Sequence, residues 1–295
     1  MTYEDLNTFP KESESSREYW IRMMDNADLF MKRIKEYPVI ESGEPMYSLT
    51  EAVERAEVEV RFSERPHANG LPRQFYMRRS IIPQFIAAAK DFNKRGWLLM
   101  IEDAYRTTTM QRNLGLQEKV FKAVLNKVQW ECRCDKPPID LLCRRIASLV
   151  ANDPGVATHM SGSAVDLSVI DRDSGEEVDR GAHYLEMSEL TPMGSSFISK
   201  EAQINRIQIT EMMKKHGFTE YPWEFWHYCM GDAYSEYISK SGMAAKYGPV
   251  DLDPDTGNVT PVDRSIVTLN SPAAVKKLME AMLSKQERPL YIEEQ

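Results

Sequence analysis

The spacing of apolar residues predicts helices separated by a few short strands. Residues 14–36 carry an apolar stripe at helical spacing, and Pro38 ends it. Six more segments are predicted to be helical, at 50–57, 81–94, 108–128, 138–150, 201–215 and 272–284. The apolar set of the helix at 201–215 is Ile204, Ile207, Ile209, Met212 and Met213.

Three segments have the pattern of strands. The apolar runs at 97–101 and 225–229 are typical of buried strands, and residues 163–170 alternate as a strand does. Residues 58–78 are predicted to be extended, with prolines and Gly70 as breakers. Because helices and strands do not alternate regularly, the pattern predicts an α+β fold with a small central antiparallel sheet flanked by helices.

The length of 295 residues suits one large domain with extensions. A chain of this size buries roughly three-quarters of its unfolded surface on folding, so no metal is needed merely to hold the fold. We predict a single domain over 1–248 that includes a helical N-terminal extension at 1–60. Residues 249–295 are predicted to form a C-terminal extension that packs on or near it.

The formal net charge of −8 argues against nucleic acid and anionic membranes as partners. An apolar content of 42% excludes a disordered chain and a membrane bundle. The first residues have neither a basic nor an apolar leader pattern, so we predict a cytoplasmic location. The sequence leaves the oligomeric state open.

The four cysteines are too few for a disulfide framework, and reduced thiols are the simpler expectation. Cys132, Cys134 and Cys143 could instead form a metal cluster, although their spacing is unusual for one. Cys229 stands apart from this group.

Two histidines lie in unusual neighbourhoods, since Asp166 follows His159 and Glu224 precedes His227. Two imidazole nitrogens and one carboxylate suit a catalytic zinc with one position open for water, and they also suit ferrous iron. A straight strand would aim His159 and Asp166 at opposite faces, so a turn is predicted at Gly162. Core histidines bonded to carbonyl groups are the alternative. The other histidines are interpreted as structural or surface residues, namely His67, His183 and His216.

The pattern His-x-x-Gly-x-Ala-x-Asp at 159–166 and the pattern Glu-x-Trp-His at 224–227 resemble the zinc D,D-peptidases. This is the D-Ala-D-Ala carboxypeptidase and dipeptidase family. Tyr105 and Arg106 match the family's Tyr-Arg element, and residues 191–195 resemble its dipeptidase branch. The resemblance covers about 80–235 and implies the hedgehog-like fold of these peptidases.

The resemblance also implies a set of roles. One Zn²⁺ per chain would be bound by His159, Asp166 and His227, with Glu224 as general base and acid. Arg106 would stabilise the oxyanion of the tetrahedral intermediate. The implied reaction is hydrolysis of a small D-amino-acid-containing peptide by attack of zinc-bound water. Substrate contacts are predicted for six residues: Tyr105, Thr158, Ser161, Ser163, Tyr221 and Trp226.

Two positions depart from the dipeptidase pattern. The dipeptidases have a serine where this chain has Ala157, and an acidic residue where it has Ile198. In them these groups help to hold the ammonium of the substrate, and an ammonium in a pocket without a carboxylate loses several kcal/mol of hydration. A substrate without a free ammonium is therefore predicted, unless Glu201 takes over the role.

Three functions stay open at this point. The first is a D-Ala-D-Ala dipeptidase, and the second is a D,D- or L,D-carboxypeptidase or amidase that acts on N-blocked or peptidoglycan-derived substrates. The third is a zinc-stabilised binding protein without catalysis, which would need neither Glu224 nor Arg106.

Overall fold

The computed structural model describes residues 8–9, 11–266 and 268–285, and it has an α+β architecture. Its helices are α1 (Ser16–Glu36), α2 (Leu49–Arg55), α3 (Ile82–Lys94), α4 (Thr108–Leu114), α5 (Glu118–Cys132), α6 (Ile139–Val150), α7 (Lys200–Lys215), α8 (Ala233–Ser239) and α9 (Pro272–Leu283). Its strands are β1 (Met46–Ser48), β2 (Val60–Phe62), β3 (Tyr76–Arg78), β4 (Trp97–Asp103), β5 (Ala164–Asp171), β6 (Thr219–Tyr221), β7 (Glu224–Cys229), β8 (Val250–Leu252) and β9 (Val259–Pro261).

The central sheet has five strands in the order β2-β4-β5-β7-β6. The prediction of an antiparallel sheet is correct for every neighbouring pair except β2 and β4, which run parallel. The chain leaves β2, passes through β3 and α3, and returns beside β2 in the same direction, as a parallel crossover requires. Strands β1 and β3 pair separately, as do β8 and β9.

Helix α7 differs from its prediction in the face that it buries. Ile204 and Ile207 are 53% and 55% exposed, whereas Arg206 is almost fully buried. The Arg206 guanidinium donates hydrogen bonds to three backbone carbonyl oxygens of residues 180–192. Apolar periodicity places Ile209 and Met213 on the buried face but not Arg206, because Arg206 is buried with the hydrogen bonds that it donates to the loop before the helix. The predicted helix at 108–128 is also divided in two around Gly115.

The N-terminal helix is part of the core rather than an appendage. Helix α1 packs on α5, α6 and α8, and the ring of Phe30 contacts those of Tyr221, Trp223 and Tyr234. At the other end of the chain, α9 packs on α6, and the Tyr105 hydroxyl donates a hydrogen bond to Val250 O. The predicted boundaries at 60 and 248 stay predictions, and residues 1–7, 10, 267 and 286–295 of those ranges lie outside the described residues.

The cysteine prediction is wrong for one pair. Cys132 and Cys134 are joined by a disulfide, with Cα atoms 5.3 Å apart. Arg133 between them adopts a left-handed conformation (φ +52°) at the end of α5, which brings the two side chains together. This pairing also removes the proposed three-cysteine metal cluster, since Cys143 is a free thiol. Within the described ranges, no helix is both long and apolar enough to cross a bilayer.

Candidate metal centre and cleft

The central sheet aligns three functional side chains in one row. Asp103 at the end of β4 pairs with Asp166 on β5, and Asp166 pairs with His227 on β7. Directly opposed residues of antiparallel strands point to the same face of a sheet. A shift of register after Ile101 brings Asp103 into this row. The sheet thus holds two carboxylates and one imidazole together.

The first histidine joins this row through a tight turn. His159 lies in a short 3₁₀ helix (Thr158–Ser161) that ends at Gly162, with φ +69°. A Cβ on Gly162 would lie 2.4 Å from Met46 Cε, so both the conformation and the space favour glycine. The predicted turn at Gly162 is confirmed, and it returns His159 to the side of Asp166.

Three donor atoms converge on one point. His159 Nε2 and His227 Nδ1 lie 3.1 Å and 2.9 Å from the same atom, Asp166 Oδ1. Among the described residues, these three side chains form the one group able to hold a metal, with donor atoms within 4.8 Å of one another. Such separations allow a shared zinc at bonds of about 2.0–2.2 Å.

The remaining ring nitrogens have partners that fix the orientation of both imidazoles. His159 Nδ1 donates a hydrogen bond to Ala104 O at 2.5 Å, which leaves the lone pair of Nε2 free for a ligand bond. His227 Nε2 lies 3.1 Å from the Thr158 hydroxyl oxygen. Both rings therefore present to Asp166 the nitrogen that a metal would use.

The protonation states of this group also suit a cation. Burial lowers the pKa of His227, although Asp166 opposes that shift, so the imidazole is neutral near pH 7. Burial would raise the pKa of Asp166, but His159 and His227 outweigh it and hold the pKa well below its usual range. A neutral imidazole and an ionised carboxylate are among the donors that a catalytic zinc takes.

Arg106 is held beside this group by three side chains. Its Nε donates to Asp103 Oδ2 at 2.8 Å, its Nη2 to Asp166 Oδ2 at 3.2 Å, and its Nη1 to Gln111 Oε1 at 3.3 Å. Burial would lower the pKa of Arg106, but Asp103 and Asp166 raise it, so the guanidinium stays charged. Its position is fixed and its charge is permanent, as stabilisation of a developing anion requires.

Glu224 begins β7 directly after the turn from β6, and its side chain lines the same cleft. Burial away from water, and secondarily the negative charge of Asp166, raises the pKa of Glu224 well above its usual range. A carboxyl group with a raised pKa can both accept and release a proton near neutral pH.

The cleft has two lobes that meet at Arg106. The inner lobe contains His159, Asp166, His227 and Glu224. The outer lobe is roomier and shares part of its wall with the inner lobe, including Arg106. Most of the remaining wall of the inner lobe is apolar, with side chains from several helices and loops: Met31, Leu114, Val120, Leu149, Val150, Leu185 and Met187.

The predicted substrate contacts divide into two groups. Thr158, Tyr221 and Trp226 line the inner lobe. The other three predicted residues do not line either lobe, and their hydroxyls bond within the protein: Tyr105 to Val250 O, Ser161 to Thr158 O and Ser163 to Asp232 Oδ2.

The two departures from the dipeptidase pattern have different surroundings. Ala157 lines the inner lobe. Ile198 packs against Gly181 and lines neither lobe, and Glu201 is exposed in the first turn of α7. Among the described residues that line the inner lobe, the carboxylates are therefore Asp166 and Glu224 alone.

Sequence reasoning missed several residues at the cleft. The Tyr184 hydroxyl donates a hydrogen bond to Asp166 Oδ2 at 3.0 Å, from a loop that carries no motif. His67, interpreted above as structural or surface, is buried and lines the outer lobe. Gln111 could have been found, because it follows Arg106 within the first turns of the next helix.

Comparison with known proteins places the chain in a family. The sequence profile of the D-Ala-D-Ala dipeptidase family, peptidase M15, matches residues 73–243, more than half of the chain. A D-alanyl-D-alanine dipeptidase of Enterococcus faecium is 34% identical over 76 residues, which are 26% of this chain and 38% of that protein. The alignment thus spans little more than a third of that relative's length.

Two solved structures are similar at low identity. The LdcB LD-carboxypeptidase is 16% identical, with 64% of this chain and 73% of that chain covered and a TM-score of 0.35. The vancomycin-resistance D,D-pentapeptidase VanY, solved in complex with Zn(II), is 16% identical, with 70% and 94% covered and a TM-score of 0.31. Neither score is high enough to transfer a residue or a substrate.

The profile match includes every residue of the converging site, from Asp103 and Arg106 to His227. The donor set fits zinc, and the Glu224 carboxyl group and the Arg106 guanidinium line the same cleft. This chain therefore belongs to the D-Ala-D-Ala dipeptidase family of zinc metallopeptidases.

Proposed function

We propose that the protein hydrolyses an amide bond in a small D-amino-acid-containing peptide whose amino end is blocked. The observation that carries this proposal is the inner lobe, where the carboxylates are Asp166 and Glu224 and most other side chains are apolar. Asp166 is committed to His159, His227, Arg106 and Tyr184. A free ammonium there would lose its hydration without gaining a dedicated carboxylate.

In the proposed reaction, three side chains hold the zinc and two further side chains, Glu224 and Arg106, act on the substrate. Zinc held by His159, Asp166 and His227 would supply Lewis-acid activation of water and of the scissile carbonyl. Glu224 accepts a proton from the attacking water and transfers it to the leaving amine. Arg106 supplies positive charge where the carbonyl oxygen becomes negative.

Arg106 is already in place before a substrate arrives. The hydrogen bonds that it donates to Asp103 and Gln111 hold its guanidinium at the junction of the two lobes. Its position requires no reorganisation during the reaction, which is what makes such a charge effective. The presence of Arg106 and Glu224 in one cleft also argues against a binding protein without catalysis.

Replacing Arg106 with Lys should lower kcat by about 10²–10³-fold with a smaller change in KM. Lysine keeps the positive charge that Asp103 and Asp166 neutralise, but it cannot reach Asp103, Gln111 and Asp166 at once. Steady-state kinetics on a cleaved peptide would measure both constants, and a melting curve would show that the variant is folded. A rise in KM at unchanged kcat would assign Arg106 to binding alone.

Product analysis by mass spectrometry tests the choice of substrate. Zinc-loaded protein would receive equal amounts of free D-Ala-D-Ala and an N-acylated tripeptide that ends in D-Ala-D-Ala. We expect cleavage of the acylated peptide at least about 10-fold faster, because a desolvated ammonium without a partner costs more than 1.4 kcal/mol. Glu224→Ala is the inactive control.

A second variant makes the test specific to the wall of the inner lobe. Ala157→Ser restores the side chain that the dipeptidases have at this position, and it should raise the rate on the free dipeptide relative to the acylated peptide. Faster cleavage of the free dipeptide by the unmodified protein would contradict the proposal and favour a D-Ala-D-Ala dipeptidase.

A further inference from the structure

We propose that the outer lobe is an anion subsite in which Arg73 and His67 bind a carboxylate of the substrate. The proposal rests on the peptidase function proposed above, and it adds a negatively charged group to the description of the substrate. The lobe opens from Arg106 and is lined by both residues, with Arg65 and Lys119 also on its wall.

Arg73 and His67 are buried but incompletely bonded. The side chain of Arg73 is 10% exposed and that of His67 only 2%. Arg73 Nη1 and both ring nitrogens of His67 have no hydrogen-bond partner among the described residues. Buried polar groups without partners are rare in folded proteins, and a ligand is one of the few explanations for three of them in one lobe.

The nearest acid does not satisfy these groups. Arg73 Nη1 lies 3.1 Å from Asp103 Oδ1, but without hydrogen-bond alignment, and His67 Nε2 lies 3.6 Å from Asp103 Oδ2. Asp103 already accepts hydrogen bonds from Arg106 Nε and from Ala104 N. One carboxylate is therefore shared by two guanidinium groups.

The charged side chains of the lobe are unevenly paired. Its wall carries the cations Arg65, Arg73, Arg106 and Lys119 and the anions Glu102, Asp103 and Glu186, and Arg106 is held by both Asp103 and Asp166. Glu102 accepts a hydrogen bond from Ser168, and Asp103 is shared as described, so neither is free to neutralise a further cation. Arg73, whose side chain is 10% exposed, therefore remains incompletely paired within the lobe.

His67 contributes a neutral donor rather than a charge. Burial and the neighbouring Arg106 lower the pKa of His67 to about 4, so its ring carries one N–H and one lone pair near pH 7. A carboxylate has two oxygens, one for the Arg73 guanidinium and one for the imidazole N–H. Because Arg106 lines both lobes, a carboxylate bound here would belong to a substrate group close to the scissile amide.

The carboxylate could be the C-terminus of the substrate or an acidic group on its amino side. Three test ligands distinguish these two positions. They are N-acetyl-D-Ala-D-Ala, its C-terminal carboxamide, and N-succinyl-D-Ala-D-Ala carboxamide. Calorimetric titration into zinc-loaded Glu224→Gln protein measures binding without turnover. We expect one of the two charged ligands to bind about 10–100-fold more tightly than the neutral carboxamide.

The same titration with Arg73→Gln added should remove this preference and leave the affinity for the neutral ligand unchanged. Arg79→Gln is the matched control, since Arg79 is exposed and lines neither lobe. Arg73→Lys keeps the charge and should recover part of the preference. Equal weakening of charged and neutral ligands by Arg73→Gln would overturn the proposal, because it would show only a supporting role through Asp103.

The anion-subsite proposal would also be overturned if the Glu224→Gln protein with Arg73 unchanged bound charged and neutral ligands equally well. Turnover of the same ligands by the unmodified protein is measured separately, so the two proposals can fail independently. Arg73-dependent binding without turnover would retain the subsite and reject the proposed peptidase substrate. Turnover without any charge preference would retain the peptidase and reject the subsite.

Discussion

Glu224→Gln should lower kcat by about 10²–10⁴-fold while the zinc content stays unchanged. Glutamine has nearly the same shape and still lines the inner lobe, but it cannot accept a proton from water. The proposed metal donors are three other side chains, so their convergence does not depend on Glu224. The loss should therefore appear in the rate and not in the metal stoichiometry.

The measurement combines steady-state kinetics with elemental analysis of the same protein sample. Glu211→Gln is a suitable control, because Glu211 is exposed on α7, away from the cleft. Retention of more than a tenth of the activity by Glu224→Gln would remove the acid–base role. Parallel loss of zinc and activity would instead mean that Glu224 supports the metal site.

Asp166→Asn should weaken zinc binding by more than about 100-fold and abolish turnover. Loss of a group that merely supports a ligand costs 10–100-fold, and Asp166 is itself a predicted ligand. Its Oδ1 meets His159 and His227, and its Oδ2 accepts from Arg106 and Tyr184. An asparagine has a single acceptor oxygen, so it cannot bind a metal between His159 and His227 and also accept hydrogen bonds from Arg106 and Tyr184.

Thermal melting with and without added zinc gives a readout that is independent of activity. Zinc at 100 times its dissociation constant should stabilise the unmodified protein by about 2.7 kcal/mol, whereas the variant at the same concentration should gain little. Asp173→Asn in the exposed turn after β5 is the control. Equal stabilisation of both proteins by zinc would place the metal elsewhere.

Much of the secondary structure follows from local pattern. Periodicity predicted α1, α3, α6 and the strand β4 to within a few residues, because each buries a continuous apolar stripe or run. Periodicity also predicted helix α7, but it did not show that Arg206 lies on the buried face of that helix. It also could not show that β2 lies parallel to β4, since strand order is a property of the whole chain.

The sequence by itself determined the chemical types at the metal centre and the turn at Gly162, because motif spacing and the steric freedom of glycine are local properties. Only the tertiary structure decided what surrounds them. Ile198 lies away from the cleft, and Tyr184 lies within it, on a loop without a motif. His67 and Arg73 reach Asp103 from more than 25 residues away, and no local pattern encodes a contact between segments so distant in sequence.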